Sequence, residues 1–558
     1  VKLKKNILNE IAEFQLPDGS YALIPEEWFA RYSDLFKFGI TEKDRLRLNK
    51  HHFKILEKSI ERTGHGYLER LKELSQDMQD AEVEVPAQTA SILRHYQEEG
   101  YKWMSLLHKH RFGGCLADDM GLGKTLQTLT LLLEIKNSVS VQTVSITSNH
   151  LVKQLDLFEQ PVNKNGPEVK EQSVSPTFLI VMPTSLVHNW ENEINKFTPQ
   201  FSVYKYTGMY RTKNTSELYD YDIVLTSYGI VRNDVEELSK IHFYYIILDE
   251  SQHIKNPSSK IYKTITQLES NHRLVLTGTP IENSLSDLWA QLNFLNRGLL
   301  GNYSFFKNEF IQPIEKHKSE RQKVKLQAII DPFMLRRTKY QVAKELPEKT
   351  EQIIYCDMTE EQKSYYESEK SKVRNSLMDN LESDTSEQAT MKILEGLSIL
   401  RQAANHPVLV EEDYQGDSGK FEEITDYIQS IVAEDHKVLV FSSYKKHLNL
   451  LENYLEKIGW KYSLLTGETR KREEVVADFQ DDPDTKIFLI QIKAGGFGLN
   501  LTAADYVLIL DPWWNPAVEE QAINRAHRIG QDKNVIVYRF ISVDTVEEKI
   551  RRLQDKKA

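Results

Sequence analysis

Cys115-Leu116-Ala117-Asp118-Asp119-Met120-Gly121-Leu122-Gly123-Lys124-Thr125-Leu126 is the stretch whose reading decides the fold. A short apolar strand runs into Gly121-Leu122-Gly123-Lys124-Thr125, and a helix opens at Leu126. Backbone N–H groups of such a loop cradle phosphates, and the helix N-terminus adds a favourable dipole. Lys124 is placed to reach the β- and γ-phosphates of a nucleotide, and the Thr125 hydroxyl to hold Mg²⁺. Asp118 stands where the strict G-x-x-x-x-G-K-[ST] pattern has its first glycine. A chance glycine turn is the alternative, and the strand before and helix after it weigh against that.

Outward from the loop, short apolar runs recur at Phe178 to Met182, Ile223 to Thr226, Tyr244 to Leu248 and Leu274 to Thr277. Helix-length segments separate them, the rhythm of a parallel sheet covered by helices. The rhythm returns at Val438 to Phe441, Ile487 to Ile490, Tyr506 to Leu510 and Val535 to Phe540, which predicts a second α/β lobe. Between the two, roughly Leu288 to Lys420 reads as helical without strand rhythm. Asn137 to Pro176 is polar and mixed, and reads as a surface excursion. The expected domains are an accessory region with a helical linker over 1–86, a first lobe over 87–346 with a helical protrusion after about 288, and a second lobe over 347–558 with a protrusion to about 420.

The chain has 558 residues, room for three to four domains at about 150 residues each. Apolar residues make up 40% and charged residues 27%, which excludes disordered and fibrous classes. No apolar run approaches the ~18 residues needed to span a bilayer, and no secretory leader is visible in a chain that starts at Val1 and reads as a fragment. Two cysteines, Cys115 and Cys356, exclude a disulfide framework and favour an intracellular home, cytoplasmic or nucleoid in a bacterium and nuclear in a eukaryote. The net charge of −11 argues against nucleic acid at first sight. Asp357 to Glu423, however, holds 16 acidic and 7 basic residues, so most of the excess is local and basic surfaces remain available elsewhere.

Tyr244-Tyr245-Ile246-Ile247-Leu248-Asp249-Glu250 is an apolar strand ending in two acids. The pattern places Asp249 on Mg²⁺ through water and Glu250 beside an attacking water. A solvated strand edge is the bland alternative, and the phosphate loop upstream weighs against it. Gln521, Arg525 and Arg528, at i, i+4 and i+7, are expected on one helical face. Arginines there could stabilise charge on a transferred phosphoryl group, or could be a plain solvated surface. Trp513 and Trp514 are expected to include at least one packing residue. His95, His253 and His527 lack ligand-spaced partners, so structural zinc is not expected.

Together these blocks resemble the Swi/Snf family of superfamily-two helicase-like ATPases from about Leu93 onward. The resemblance rests on Leu93-Arg94-His95-Tyr96-Gln97, Asp118 to Thr125, Met182 to Leu186 with Asn189-Trp190, Leu225 to Tyr228, Asp249 to Gln252 and Leu276 to Pro280. It continues through Met334 to Lys339, Leu400 to Pro407, Lys493 to Leu501, Asp511 to Pro516 and Arg525 to Gln531. It implies two RecA-like parallel-sheet lobes with helical insertions, ATP between them and double-stranded DNA across both. By the resemblance, ATP is held by Arg94, Gln97, Asp118, Asp119, Met120, Gly121, Leu122, Gly123, Lys124, Thr125 and Gly496. Catalysis falls to Lys124, Asp249, Glu250, Gln521, Arg525 and Arg528, with Thr125 and Asp249 on the metal. DNA contacts fall to Thr184, Thr226, Ser227, Lys493, Asn500 and Thr502, although a helix cap or turn is an equally ordinary use for each Thr or Ser. The implied activity is ATP-driven translocation on duplex DNA with remodelling of bound protein and no strand separation. A strand-separating DNA or RNA helicase and a nucleotide-gated DNA-binding module are the rivals. Ser251 departs from the family's usual alanine, and activity is expected to survive it. The first 86 residues resemble a segment found ahead of the motor in bacterial members.

Overall fold

The strands, in the computed structural model of the chain, are two small hairpins followed by two sets that each form one sheet. The structure describes residues 3–16, 18–42, 45–53, 83–139, 176–209, 211–278, 280–281, 284–343, 345–379, 386–494 and 499–555. Most of the surface excursion, the linker from 54 to 82 and Gly496 therefore lie outside the described residues. The hairpins pair β1 (Glu13–Gln15) with β2 (Tyr21–Leu23) and β3 (Ile40–Glu42) with β4 (Arg45–Arg47).

The first large sheet uses β5 (Gly114–Leu116), β6 (Phe178–Met182), β7 (Val203–Tyr206), β8 (Ile223–Ser227), β9 (His242–Asp249), β10 (Glu269–Leu276) and β11 (Met334–Leu335). Its order is β11-β5-β10-β9-β6-β8-β7, parallel throughout. Every residue of β5, β6 and β8 is buried. Strands without polar alternation are what a sheet covered on both faces requires.

The second sheet uses β12 (Lys349–Cys356), β13 (Val438–Ser442), β14 (Tyr462–Leu465), β15 (Ile487–Gln491), β16 (Tyr506–Ile509) and β17 (Val535–Ser542), in the parallel order β12-β17-β16-β13-β15-β14. Alternate residues feed two apolar layers: Leu439 and Phe441 enter one, Val438 and Val440 the other. That is the two-residue period of a strand buried on both sides.

One compact unit comprises residues 1–119 and 123–337, the other 120–122 and 338–558, and each carries one large sheet. Helical insertions are present in both. The first has Leu285–Leu295, Tyr303–Phe306 running into a π-helical stretch Lys307–Lys316, and Glu320–Ile330. The second has the pair Glu360–Asp379 and Ser386–Asn405. Within the segment read as free of strands lie β11 and β12, a correction to the sequence reading. β12 pairs with β17 over eight residues, but it is an edge strand whose Lys-Thr-Glu-Gln half is largely solvated, so it lacks an apolar rhythm. The other strands of the two large sheets that escaped the sequence reading, β7 and β14, are likewise edges with half-solvated faces, and the short hairpins β1–β2 and β3–β4 escaped it too.

The described part of the accessory region packs on the first unit's helical insertion. Leu35, Phe38 and Phe53 join that unit's core, with Phe38 edge-on to Phe305 at 5.3 Å. Around them Glu309 accepts from Lys37 at 2.9 Å and Lys325 at 2.9 Å, and Lys325 also reaches Asp34 at 2.5 Å. No helix among the described residues is long and apolar enough to cross a membrane.

Candidate nucleotide site and nucleic-acid interface

The register of the first sheet brings the two strongest sequence signals together. Leu276 on β10 pairs with Leu116 on one side and Asp249 on the other. The phosphate-loop strand and the acidic strand therefore end level, two strand spacings apart, about 10 Å. Both deliver their loops at the C-terminal edge, where parallel α/β sheets bind ligands.

The loop between β5 and the helix Lys124–Val139 turns through Gly121 at φ +87° and Gly123 at φ +73°. Those angles favour glycine. A Cβ on Gly123 would meet the Gln97 amide nitrogen at 2.3 Å, so Gln97 lies against the loop, buried to 4% exposure. Its Oε1 accepts from the Arg94 N–H at 3.0 Å, fixing the start of the helix His95–Lys109. Lys124 Nζ donates to the Asp118 and Asp119 carbonyls at 2.6 and 3.3 Å. Thr125 is half-buried at the helix start, beside half-buried Asp119 and Met120.

Asp118 has a use the sequence did not show. Its carboxylate is fully buried and takes Arg337 Nε at 3.0 Å, Nη2 at 2.5 Å and the Arg337 backbone N–H at 3.1 Å. Its side chain is therefore committed to the fold, and only its main chain faces Lys124. Arg337 also donates to the Tyr96 carbonyl and, at 2.9 Å, to Gln127.

At the end of β9, Asp249 accepts from Trp190 Nε1 at 2.8 Å and from the Glu250 N–H at 2.9 Å. Tyr228 donates its hydroxyl to the Asp249 carbonyl at 2.8 Å. Burial, then the neighbouring Glu250 charge, push the Asp249 carboxyl up to about 7, opposed by Trp190 and by the Lys124 charge. Glu250 sits at φ +50°, left-handed backbone that a non-glycine residue adopts at a cost. It is 9% exposed and accepts from Gln252 Nε2 at 2.9 Å. Ser251 is buried and donates to Gln291 Oε1 at 2.6 Å, while Gln291 donates onward to the Pro280 carbonyl at 2.8 Å. Ser251→Ala strands that Oε1, which costs about 1–3 kcal/mol. Thermal unfolding should register that loss while ATP turnover stays within the same order.

Two proposed DNA-contact hydroxyls are already engaged. Thr226 is fully buried and donates to the Tyr206 carbonyl at 2.9 Å. Ser227 is the N-cap of Tyr228–Asn233, its Oγ accepting from Ile230 N–H at 3.4 Å. Thr184 is exposed at the end of β6.

In the second unit, Lys493 and Asn500 are exposed and Thr502 is half-buried. Gly496 lies outside the described residues. Lys493 Nζ sits 5.4 Å from the Trp513 ring centroid. Trp513 packs against the core, and Trp514 is 40% exposed. Buried Arg401 reaches the Pro512 carbonyl at 2.7 Å and lies within 6 Å of both tryptophan rings.

The expected helical face of Gln521, Arg525 and Arg528 is not formed. The helix runs from Pro516 to Ile523, and the chain then turns. Arg525 N–H bonds to Ala522, Ala526 N–H to Ile523 and Arg528 N–H to Ala526, and beyond Asn524 the four-residue step survives at His527 to Ile523. Side chains hold the turns that follow: Lys339 donates to the His527 carbonyl, and Gln531 to that of Ala526 at 3.2 Å. Gln521 and Arg525 are buried at 7% and 6% exposure. Arg528 is half-buried, with Nη1 3.3 Å from the Leu499 carbonyl.

A glycine-rich loop level with an acidic strand end, and a second parallel-sheet unit bearing an arginine block, are features of the helicase-like superfamily two. Residues 96–409 match the SNF2-related domain, and residues 419–530 the helicase conserved C-terminal domain. The chain belongs to the SNF2 family. It is 37% identical over 478 residues to YwqA of Bacillus subtilis, named as a candidate ATP-dependent helicase/translocase, covering 83% of this chain and 48% of that protein. It is 34% identical over 550 residues to the TATA-binding protein-associated factor MOT1 of Saccharomyces cerevisiae, covering 87% of this chain and 28% of MOT1. The chain thus spans less than half the length of these curated relatives. Among solved structures, the Sulfolobus solfataricus SWI2/SNF2 ATPase core in complex with double-stranded DNA shares 38% identity over 83% of this chain and 91% of that one, with a TM-score of 0.40.

Proposed function

We propose that the chain is a duplex-DNA translocase that hydrolyses ATP to move along DNA and displace or remodel DNA-bound protein without separating strands. The observation that carries the ATPase half is the register placing Lys124 and the Asp249-Glu250 pair at one sheet edge. The residues fit ATP and Mg²⁺. Gly121 to Lys124 offer N–H donors and an ammonium group to phosphates, while the Thr125 hydroxyl and Asp249 carboxylate suit a hard divalent cation. A carboxyl pushed upward beside a second carboxylate is what such a cation relieves. Bound Mg·ATP supplies the anhydride to be cleaved and neutralises part of its charge. Lys124 then holds the β- and γ-phosphates, Glu250 accepts the proton of the attacking water, and Gln252 orients Glu250. Arg525 and Arg528 stabilise charge on the transferred phosphoryl group, with Gln521 beside them. Arg94 and Gln97 contact the base.

The DNA half rests on family membership and on the exposure of Thr184, Lys493 and Asn500 at strand ends and loops. Contacts of such polar groups with phosphates carry no sequence information, which suits a motor that steps through any sequence. Thr502 contributes its hydroxyl, since its carbonyl is taken by Gln531, the cap at Ser227 contributes main-chain groups, and the Thr226 hydroxyl contributes none.

Steady-state ATP hydrolysis with no polynucleotide, single-stranded DNA, duplex DNA and duplex RNA, at one low salt, tests the proposal. Stimulation chiefly by duplex DNA, with no product in a strand-displacement assay, is the expected result. Stimulation by RNA or single strands, or strand separation, replaces the proposal with a helicase. Turnover indifferent to DNA replaces it with a nucleotide-gated binding module.

A further inference from the structure

The first unit has a second polar cavity, at the opposite end of its sheet from the phosphate loop. It has a volume of about 790 Å³ and is lined at the starts of β5 and β10 by Gly113 and by Ser270 to Arg273. His272 is four residues before Leu276, so on the order of 13 Å of strand separates the cavity from the edge that carries Asp249. Ligands of parallel sheets occupy the C-terminal edge, and this cavity is therefore not part of the nucleotide site.

Its charge is one-sided. Arg111, Lys263, Arg273 and Arg297 line it, and no Asp or Glu does. None of the four makes an ion pair among the described residues. Arg273 is wedged by neutral groups, donating to the Phe294 and Leu268 carbonyls at 2.9 Å each, with its guanidinium 4.7 Å from the Phe294 ring centroid. Burial and the Arg297 charge lower it to about 10. Four cations gathered without a carboxylate are unexpected in a chain of net charge −11. Arg111, Lys263 and Arg297 are exposed around it and Arg273 is half-buried within, a one-signed field that attracts an anion.

A second observation points the same way. His272 lines the cavity, is 8% exposed, and its Nδ1 has no hydrogen-bond partner. Its ring lies 4.2 Å from that of His108, whose Nδ1 is also buried without a partner. Buried polar atoms in folded proteins are ordinarily bonded, so this imidazole pair beside the cationic cavity is held in place at a cost. Burial and then the Arg111 charge hold His108 down at about 4, and burial, then the neighbouring His108, then Arg111 hold His272 down at about 3. An anion would oppose that depression. Phe112, Tyr262, Trp289 and Phe294 add rings to the wall, and amide and aromatic groups at that volume suit a nucleotide-sized molecule.

We propose that this cavity binds a small phosphate-bearing anion, a polyphosphate or nucleotide, independently of the motor site. Arg111, Lys263 and Arg297 meet the phosphates, and the His272 ring lies in the cavity wall beneath them.

Calorimetric titration of the Lys124→Ala variant of the full chain tests it, because that variant suppresses phosphate binding at the loop. Tripolyphosphate and ADP are the probes, in magnesium-free buffer at low salt. The expected result is one-to-one binding that Arg111→Gln with Arg297→Gln weakens at least tenfold, or about 1.4 kcal/mol. Lys316→Ala with Lys318→Ala, which removes the same charge from an exposed turn of the same unit, leaves the affinity unchanged. Binding of ADP above tripolyphosphate identifies a nucleotide, and equal or lower binding a plain polyphosphate, both within the proposal. No binding, equal weakening by the control pair, or an effect of the arginine pair on duplex DNA alone overturns it.

Discussion

Glu250→Gln lowers the turnover number for ATP by about 10²–10⁴-fold, the usual span for loss of a positioned general base, while ATP still binds. The amide has the shape of the carboxylate and still offers an oxygen to Gln252 Nε2, which now donates to Glu250 Oε2 at 2.9 Å. What it lacks is basicity. The fold has little to lose from the change, because the neighbouring charge of Glu250 is one of the two main causes that drive Asp249 upward. The left-handed backbone at φ +50° is set by the turn out of β9 and is open to glutamine as to glutamate. Filter binding of ATP alongside single-turnover hydrolysis separates the two effects. Turnover at the parental rate would remove Glu250 from its assigned role and shift attention to Gln252. Loss of ATP binding would mean that the substitution had disturbed Asp249, which shares the same turn.

Much of this site was legible because its chemistry is local in sequence. The glycines, lysine and threonine of the phosphate loop are contiguous, and the strand ending in Asp249-Glu250 is an unbroken apolar run. Buried parallel strands such as β6 and β8 were equally plain, since every residue is apolar or small. Edge strands were not. β12 begins with four polar, largely solvated residues and alternates only in its last few positions, so nothing in its pattern separates it from the helices around it. The arginine block failed differently. Spacing alone suggested a helical face, but the helix ends at Ile523 and Lys339 and Gln531 hold the turns beyond it, tertiary contacts that leave no local signature. Trp190 illustrates the middle ground: it stood in a motif with no assigned role, and its indole N–H proves to fix the Asp249 carboxylate at 2.8 Å. The cationic cavity was invisible for the same reason as the arginine turns, since its residues come from three separated stretches around 111, 263–273 and 297.

Asp118→Ala should destabilise the first unit by about 3–5 kcal/mol, the cost of leaving a buried charge without its partner. Arg337 is 8% exposed and Asp118 is fully buried, so neither charge can recover solvation when the other is removed. Of the remaining partners of Arg337, the Tyr96 carbonyl and Gln127 are neutral, and the one carboxylate, exposed Glu99, stands 3.9 Å away and only loosely replaces Asp118. The packing leaves no room to adjust: a Cβ on Gly100 would stand 2.6 Å from Arg337 Nη2 and 2.0 Å from Gln127 Oε1. Arg337→Met alone should cost a similar amount, because it orphans the carboxylate. The double variant Asp118→Ala with Arg337→Met should recover most of the loss, since a buried ion pair is often matched by apolar groups of similar volume. Urea titration read at the amides of Lys124–Val139 by hydrogen exchange measures all three, and the coupling between the sites is the informative quantity. Additive losses would mean that the pair is incidental. Strong coupling would establish that the residue in the place of the loop's first glycine serves the fold: it ties the nucleotide loop to a block 219 residues further along the chain, and leaves phosphate binding to the glycines and Lys124.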